Sequence, residues 1–212
     1  MNRTIFLLSA LLIALPALAQ DEGAKQPPAS PAAVSKAREQ IDDLGLLKAL
    51  IPLKLTSAQI EAILVPMRAA SATAVKLQKQ SDDAVAALAP DVAKAYQDAI
   101  AGKPVPEALE KKVADGTKAA SERYLAARRK AVSEILAVAK EKLTETQKKE
   151  AERQCIAFYG GKRVPAQYKE NPDKAPRDVV LDLAVQGYIE QVLLFDRTMT
   201  LLEKMREAEE KS

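Results

Sequence analysis

The sequence contains no histidine, no tryptophan, one cysteine and seven glycines, and aromatic residues make up only 4% of its 212 residues. Without histidine the chain has no Ser-His-Asp or Cys-His nucleophile, no imidazole general base and no histidine-bound metal. A single cysteine excludes an internal disulfide, a Cys-x-x-Cys redox pair and a cysteine-held cluster. The sequence also lacks a glycine-rich phosphate loop and a Gly-x-Ser-x-Gly elbow. We therefore expect no catalytic residues, no cofactor and no metal, and a protein that is not an enzyme.

The charge of the chain is nearly balanced, with 32 basic and 29 acidic residues and a formal net charge of +3. Charged residues make up 29% and apolar residues 48% of the sequence, which is typical of a folded soluble protein. A balanced chain has no strong field to attract polyanions, so we expect no nucleic-acid partner.

Residues 1–19 have the pattern of a cleavable signal peptide. Arg3 supplies a short positive region, residues 5–15 are apolar, and small residues precede an expected cleavage between Ala19 and Gln20. The apolar run is too short to span a bilayer comfortably. The pattern predicts a periplasmic or secreted protein with no integral membrane segment after cleavage.

Helix-forming residues dominate the mature chain, while strand alternation and hairpin turn signals are absent. After a polar, proline-rich linker at 20–31, we expect a single all-helical domain over residues 32–212, built as an elongated bundle or as helical hairpins with two long helices. The predicted helices cover residues 32–50, 56–88, 90–101, 107–143, 144–158 and 177–210. Pro66 is expected to kink the second helix, Pro90 to begin the third, and residues 160–176 to form an irregular loop.

The last predicted helix carries a heptad pattern of apolar residues. Two interpretations stay open at this point: the pattern forms the core of a helical bundle, or it forms a face for a homodimer or another partner. The residues concerned are Leu181, Val185, Tyr188, Val192, Phe195, Met199 and Leu202.

A Leu-Thr-x-x-Gln motif occurs twice, at residues 55–59 and 143–147. A threonine at the N-cap accepts a hydrogen bond from the backbone three residues later, and a glutamine at that position accepts one from the threonine N–H. The motif therefore predicts a capping box at the start of two helices. The residues assigned as structural caps are Leu55, Thr56, Gln59, Leu143, Thr144 and Gln147.

The two motifs, behind a signal peptide in a small helical chain, resemble those of the LTxxQ-motif family of periplasmic proteins, to which the Spy and CpxP proteins belong. The resemblance covers roughly residues 50–158. It implies an exported all-helical protein, often a dimer, with ATP-independent chaperone activity or a role in envelope stress, and it assigns no client-binding residue. We expect a non-enzymatic protein that binds unfolded or partner proteins. The alternative is a structural or adaptor protein that dimerises or docks through its C-terminal amphipathic helix.

Two further features each allow two interpretations. Cys155 is either an inert thiol on an apolar helix face or the site of an intermolecular disulfide. Residues 128–130 form a basic cluster on the long fourth helix, which is either a solvated surface or a site for an anionic partner.

Overall fold

A computed structural model describes residues 30–211. This part of the chain contains six α-helices and no β-strand, so the all-α prediction is confirmed. The predicted signal peptide, and all of the predicted linker except its last two residues, lie outside the described residues. The helices are α1 (Pro31–Leu50), α2 (Ser57–Ile100), α3 (Glu107–Lys142), α4 (Glu145–Tyr159), α5 (Arg177–Tyr188) and α6 (Asp196–Glu209).

The first helix begins one residue earlier than expected, because Ser30 caps it and Pro31 occupies its first turn. A short 3-10 turn, Ile51–Leu53, joins α1 to α2, and Lys54 completes the reversal in the left-handed region at φ 49°. The loop between α4 and α5 is irregular as predicted and contains two 3-10 turns, Ala166–Tyr168 and Pro172–Lys174.

Helices α2 and α3 form a long antiparallel hairpin that is the main feature of the fold. The prediction that one helix ends near Leu88 and another begins at Pro90 is wrong, because α2 runs through both Pro66 and Pro90 as a single helix of 44 residues. Pro90 removes one backbone donor, but it is solvent-exposed, as is Ala86, whose carbonyl loses that bond. A carbonyl at an exposed position is open to solvent, so the lost bond is not a reason for the helix to end there.

The core lies at the base of the hairpin, where the end of α1, α4, α5 and α6 pack against the proximal halves of α2 and α3. Its fully buried side chains include Leu50, Ile60, Leu64, Ile135 and Leu202. The hydroxyl of buried Tyr188 donates to the carbonyl of Ala49 at 3.0 Å, which satisfies the one polar atom of the largest core residue.

The predicted continuous helix over 177–210 is also wrong. After α5 the chain forms a π-helical turn, Ile189–Leu193, then breaks at Leu194 and Phe195 before α6 begins. The wide turn changes the register, because a π-turn holds more residues than an α-turn. As a result Phe195 is 53% exposed, while Thr198 and Leu201 of α6 are buried.

Cys155 is buried at the contact between α4 and α5 and is free in the described chain. Burial raises the pKa of its thiol. A Cβ added at Gly187 of α5 would lie 2.6 Å from the Cys155 sulfur, so the close approach of these two helices requires glycine at that position. Within residues 30–211 no helix is both long and apolar enough to span a bilayer.

Candidate functional site

Both predicted capping boxes are present in the structure. Thr56 accepts from the N–H of Gln59 and its own N–H donates to the Gln59 amide oxygen, at 3.3 and 3.0 Å. Thr144 and Gln147 repeat the arrangement at 3.3 and 2.9 Å. The motifs therefore fix the first turns of α2 and α4.

The two motifs also contact each other, which the spacing of 88 residues did not predict. The amide nitrogen of each glutamine donates to the amide oxygen of the other, and both distances are 2.9 Å. Gln59 also donates to the carbonyl of Lys142 at 2.7 Å, and Gln147 to the carbonyl of Lys54 at 3.2 Å. Each glutamine thus binds the residue that precedes the other motif, which gives the pair local two-fold symmetry.

This reciprocal glutamine pair joins the ends of the long hairpin. Lys142 is the last residue of α3, and its carbonyl is one of those left without an intrahelical partner. The leucines of both motifs, Leu55 and Leu143, are buried beneath the pair. The motif residues are therefore structural, and they set the start of α2 against the end of α3.

Beyond this base, the contact line between the two helices repeats every seven residues. Ser81, Leu88 and Ala95 are less exposed than their neighbours on α2, and Ala120 and Ala127 are so on α3. In such an antiparallel pair, positions seven apart lie on the same side of the hairpin. Four of these five residues are alanine or serine, so the helices bury little apolar area between them.

One side of the distal hairpin carries five exposed large apolar side chains among polar ones. We define the hairpin groove as the surface formed by four rows of this repeat, two on each helix. The α2 rows are residues 75, 82, 89 and 96 and residues 71, 78, 85, 92 and 99. The α3 rows are residues 110, 117 and 124 and residues 107, 114, 121 and 128. Val85 and Tyr96 in these rows are 66% and 64% exposed. The other large apolar side chains of the groove are Val75, Val92 and Tyr124.

On the opposite side of the contact line, the rows that directly flank it hold the half-buried Leu77 and Leu109. The next two rows on α2 and α3 contain no apolar side chain larger than alanine or proline, and every residue in them is exposed. The α2 residues are Thr73, Lys76, Gln80, Asp83, Ala87, Pro90, Lys94 and Gln97; the α3 residues are Ala108, Lys112, Asp115, Ala119, Glu122, Ala126 and Arg129. Ile100 and Leu125, which are 67% and 45% exposed, lie outside these rows and outside the groove, so the groove holds most of the exposed large apolar side chains of the distal hairpin and not all of them.

Three depressions mark the course of the groove. The basal one has a volume of about 210 Å³ and lies where Phe195 and Met199 approach the hairpin. It shares Leu77 and Tyr124 with a middle depression. The third, of about 550 Å³, is lined by Val92, Tyr96 and Val113 near the tip.

Helix α6 occupies the proximal end of the same surface. Glu61 and Arg68 of α2 precede Val75 by multiples of seven residues, and both bind α6: Glu61 pairs with Arg206, and Arg68 with Glu203 at 3.0 Å. Arg68 also pairs with Glu61 at 2.8 Å, and these hydrogen bonds hold the pKa of the Glu61 carboxyl below its usual value. The hairpin groove is thus the uncovered continuation of a surface that already receives one helix.

The C-terminal residues predicted as a core or partner face lie mostly inside this fold. Leu181, Val185, Tyr188, Val192 and Leu202 are buried, Met199 is partly buried, and only Phe195 is exposed. Most of these residues therefore belong to the core of the bundle. They do not form an exposed face for a partner or a dimer, because α5 and α6 pack them against α2, α3 and α4.

The basic cluster at 128–130 is dispersed among different contacts. Arg128 donates to the carbonyl of Glu190 at 3.2 Å, and Lys130 lies 3.7 Å from Glu134. Arg129 lies on the polar side of the hairpin, facing away from Arg128 in the seven-residue repeat. The three cations therefore do not converge on one point.

No group of three or more His, Cys, Asp or Glu side chains within residues 30–211 is placed to hold a metal ion. Comparison with protein-family models, curated proteins and solved structures gives no match for this chain.

Proposed function

We propose that this protein is an exported, non-enzymatic chaperone-like protein of the LTxxQ type that binds partly unfolded or partner proteins along the hairpin groove without ATP. The observation that carries the proposal is the one-sided distribution of exposed apolar residues on the distal hairpin. Exposed apolar surface of this extent and shape is typical of a protein-binding site. The N-terminal signal pattern supports export, and the paired LTxxQ motifs support the family assignment.

The hairpin groove suits clients of varied sequence. Along it, small side chains such as Ala89 and Ala114 separate the valines and tyrosines. Tyrosine offers a large contact area at a low entropic cost and keeps a polar hydroxyl in water. Weak, distributed apolar contacts of this kind allow binding and release without nucleotide hydrolysis.

The adaptor alternative, in which the chain docks through its C-terminal amphipathic helix, has less support. The residues that would make the contact are buried in α5 and α6, and exposing them would remove much of the core.

The test is light scattering of an aggregating model client with the mature chain, residues 20–212, in the absence of ATP. We expect suppression by the wild type. Tyr96→Glu places a charge in the hairpin groove, and it should raise the concentration needed for half protection about fivefold, since losing one apolar contact costs on the order of 1 kcal/mol.

Gln97→Glu is the matched control for this experiment. It introduces the same carboxylate at the adjacent, exposed position on the polar side of α2. Val85→Glu and Ala87→Glu provide a second such pair. The proposal fails if the wild type gives no protection while folded and helical by circular dichroism, or if the groove variants and their controls protect equally.

Export is tested separately. Expression of the full chain in a bacterium, followed by fractionation and N-terminal sequencing, should give a periplasmic protein beginning at Gln20. A cytoplasmic protein that retains residues 1–19 would contradict this part of the proposal.

A further inference from the structure

We propose that the preferred occupant of the hairpin groove is a cationic amphipathic helix, lying end to end with α6. This inference rests on the proposed function, since it names the class of partner that the same surface binds best.

The case for a helix comes from the chain itself. The proximal end of the surface already holds α6, which runs antiparallel to α2: Glu209 near its end accepts a hydrogen bond from Ser57 at 2.6 Å, whereas Asp196 at its start lies at the basal depression. Leu201 and Leu202 of α6 are buried against α2, and charged side chains pair on the flank. A helix that continues along the same rows would meet an equivalent surface.

The length of the uncovered surface fits one ordinary helix. From Val75 to Tyr96 the groove extends along α2 for about 32 Å at ~1.5 Å per residue. A partner helix of about 21 residues would cover it. Val75, Val85, Val92 and Tyr96 would then fill the spaces between its apolar side chains.

The case for positive charge comes from three carboxylates in the rows of the hairpin groove. Asp82, Glu107 and Glu110 lie in these rows, and none of them makes an ion pair within residues 30–211. Arg128 is the one cation in the same rows, and it contacts the carbonyl of Glu190 at the base. Lys79 and Arg123 also line the middle depression, where Lys79 pairs with Asp83 at 3.0 Å. Basic side chains flanking an apolar stripe would find unpaired acidic partners along the groove.

The same charges argue against a second copy of the chain as the occupant. Two hairpin grooves placed face to face would bring six carboxylates and two arginines into one interface. Like charges that face each other across an interface disfavour the complex.

The probes are three synthetic peptides of about 21 residues, the length that spans the groove. All carry leucine in a heptad pattern; one has lysine on its flanks, one has glutamate, and one has lysine with a central proline. Fluorescence anisotropy with the full mature chain measures each Kd. We expect the lysine peptide to bind at least about tenfold more tightly than the proline peptide, which cannot form a continuous helix.

The charge preference is tested with Asp82→Lys and, as its control, Asp115→Lys. The first reverses a charge in the hairpin groove, and the second makes the same change at an exposed position on the polar side of α3. Asp82→Lys should weaken the lysine peptide and strengthen the glutamate peptide by about threefold each at low salt, while Asp115→Lys should change neither. A variant that was only destabilised would not bind the glutamate peptide more tightly and the lysine peptide more weakly.

Three results would overturn the inference, each in a recognisable way. Equal binding of the helical and proline peptides would exclude a helix as the preferred occupant, while suppression of client aggregation would leave the proposed function standing. Tighter binding of the glutamate peptide would exclude the charge preference. Sedimentation velocity showing a dimer that Tyr96→Glu dissociates and Gln97→Glu does not would make a second copy the occupant. If no peptide binds and no aggregation is suppressed, the proposed function itself fails.

Discussion

Substitution of Gln147 by glutamate separates the two roles of the LTxxQ glutamine. A capping box accepts glutamate as readily as glutamine, and a negative charge in the first turn of α4 is favourable by about 0.3–1 kcal/mol. If capping were the only role, Gln147→Glu would be neutral or slightly stabilising. The reciprocal glutamine pair predicts the opposite sign.

The magnitude follows from the hydrogen bonds that the amide nitrogen makes. It donates to the carbonyl of Lys54 at 3.2 Å and to the amide oxygen of Gln59 at 2.9 Å. A carboxylate loses both bonds, each contributing about 1 kcal/mol, and directs negative charge at two acceptors in a buried position. After the favourable helix-dipole contribution is included, we expect a net destabilisation of about 2 kcal/mol.

The assay is urea unfolding followed by circular dichroism, with Gln80→Glu as an exposed control expected to change stability by less than about 0.5 kcal/mol. In the Gln147→Glu protein, we expect the neighbouring acceptors to raise the pKa of the introduced carboxyl in the folded state. The stability deficit relative to wild type should therefore shrink as the pH falls and the carboxyl becomes a donor. A Gln147→Glu protein as stable as wild type at neutral pH would refute the role assigned to the pair.

Two other predictions concern the contacts of α4 and α5. Gly187→Ala should destabilise the protein by about 1 kcal/mol because its Cβ would lie 2.6 Å from the Cys155 sulfur and 2.9 Å from Arg163 Nη1. In a Cys155→Ala background the same change should cost less, since only the contact with the flexible Arg163 side chain remains; a double-mutant cycle by urea unfolding measures the coupling. Arg177 binds both oxygens of Glu152 at 2.5 and 2.6 Å and lowers the pKa of that carboxyl. Arg177→Gln should therefore cost about 1–2 kcal/mol above the ordinary pKa of glutamate, and the cost should disappear as the pH falls through the lowered folded-state value. A cost that does not vary with pH would contradict the assignment.

Much of the fold was predictable from local sequence signals. The threonine of each LTxxQ motif marked the start of a helix. Gly102 and Gly160, which follow the ends of α2 and α4, adopt positive φ, the conformation in which glycine commonly ends a helix. These signals depend on a few neighbouring residues, and packing does not alter them. The all-helical class followed from composition, because helix propensity is also a local property of the residues.

The two errors in helix boundaries have a shared origin in tertiary context. Whether a proline ends a helix depends on what satisfies the freed carbonyl, and at Pro90 that carbonyl faces water. Whether a heptad pattern forms one continuous helix depends on whether the core can pack against a single straight helix. Around Phe195 the chain inserts a π-turn and breaks, so that α6 turns onto α2.

The hairpin groove could have been predicted from the sequence, but it was not. Val85 and Val92 are seven residues apart, and Val75 and Tyr96 lie in the adjoining row, beside the Ala-rich contact line; apolar rows of this kind indicate a second face. The pairing of Gln59 with Gln147 had no such local signal, because it depends on the three-dimensional arrangement of two segments far apart in the sequence.

The central claim is that clients bind on one side of the distal hairpin. The most direct measurement places the photo-crosslinking residue p-benzoylphenylalanine at position 96 or 97 of the full chain, in a cell stressed to unfold its exported proteins. Crosslinked adducts at position 96, and their near absence at position 97, are the result we predict. Equal labelling at the two positions would contradict the claim, because residues that project about 100° apart around α2 would then meet clients equally often.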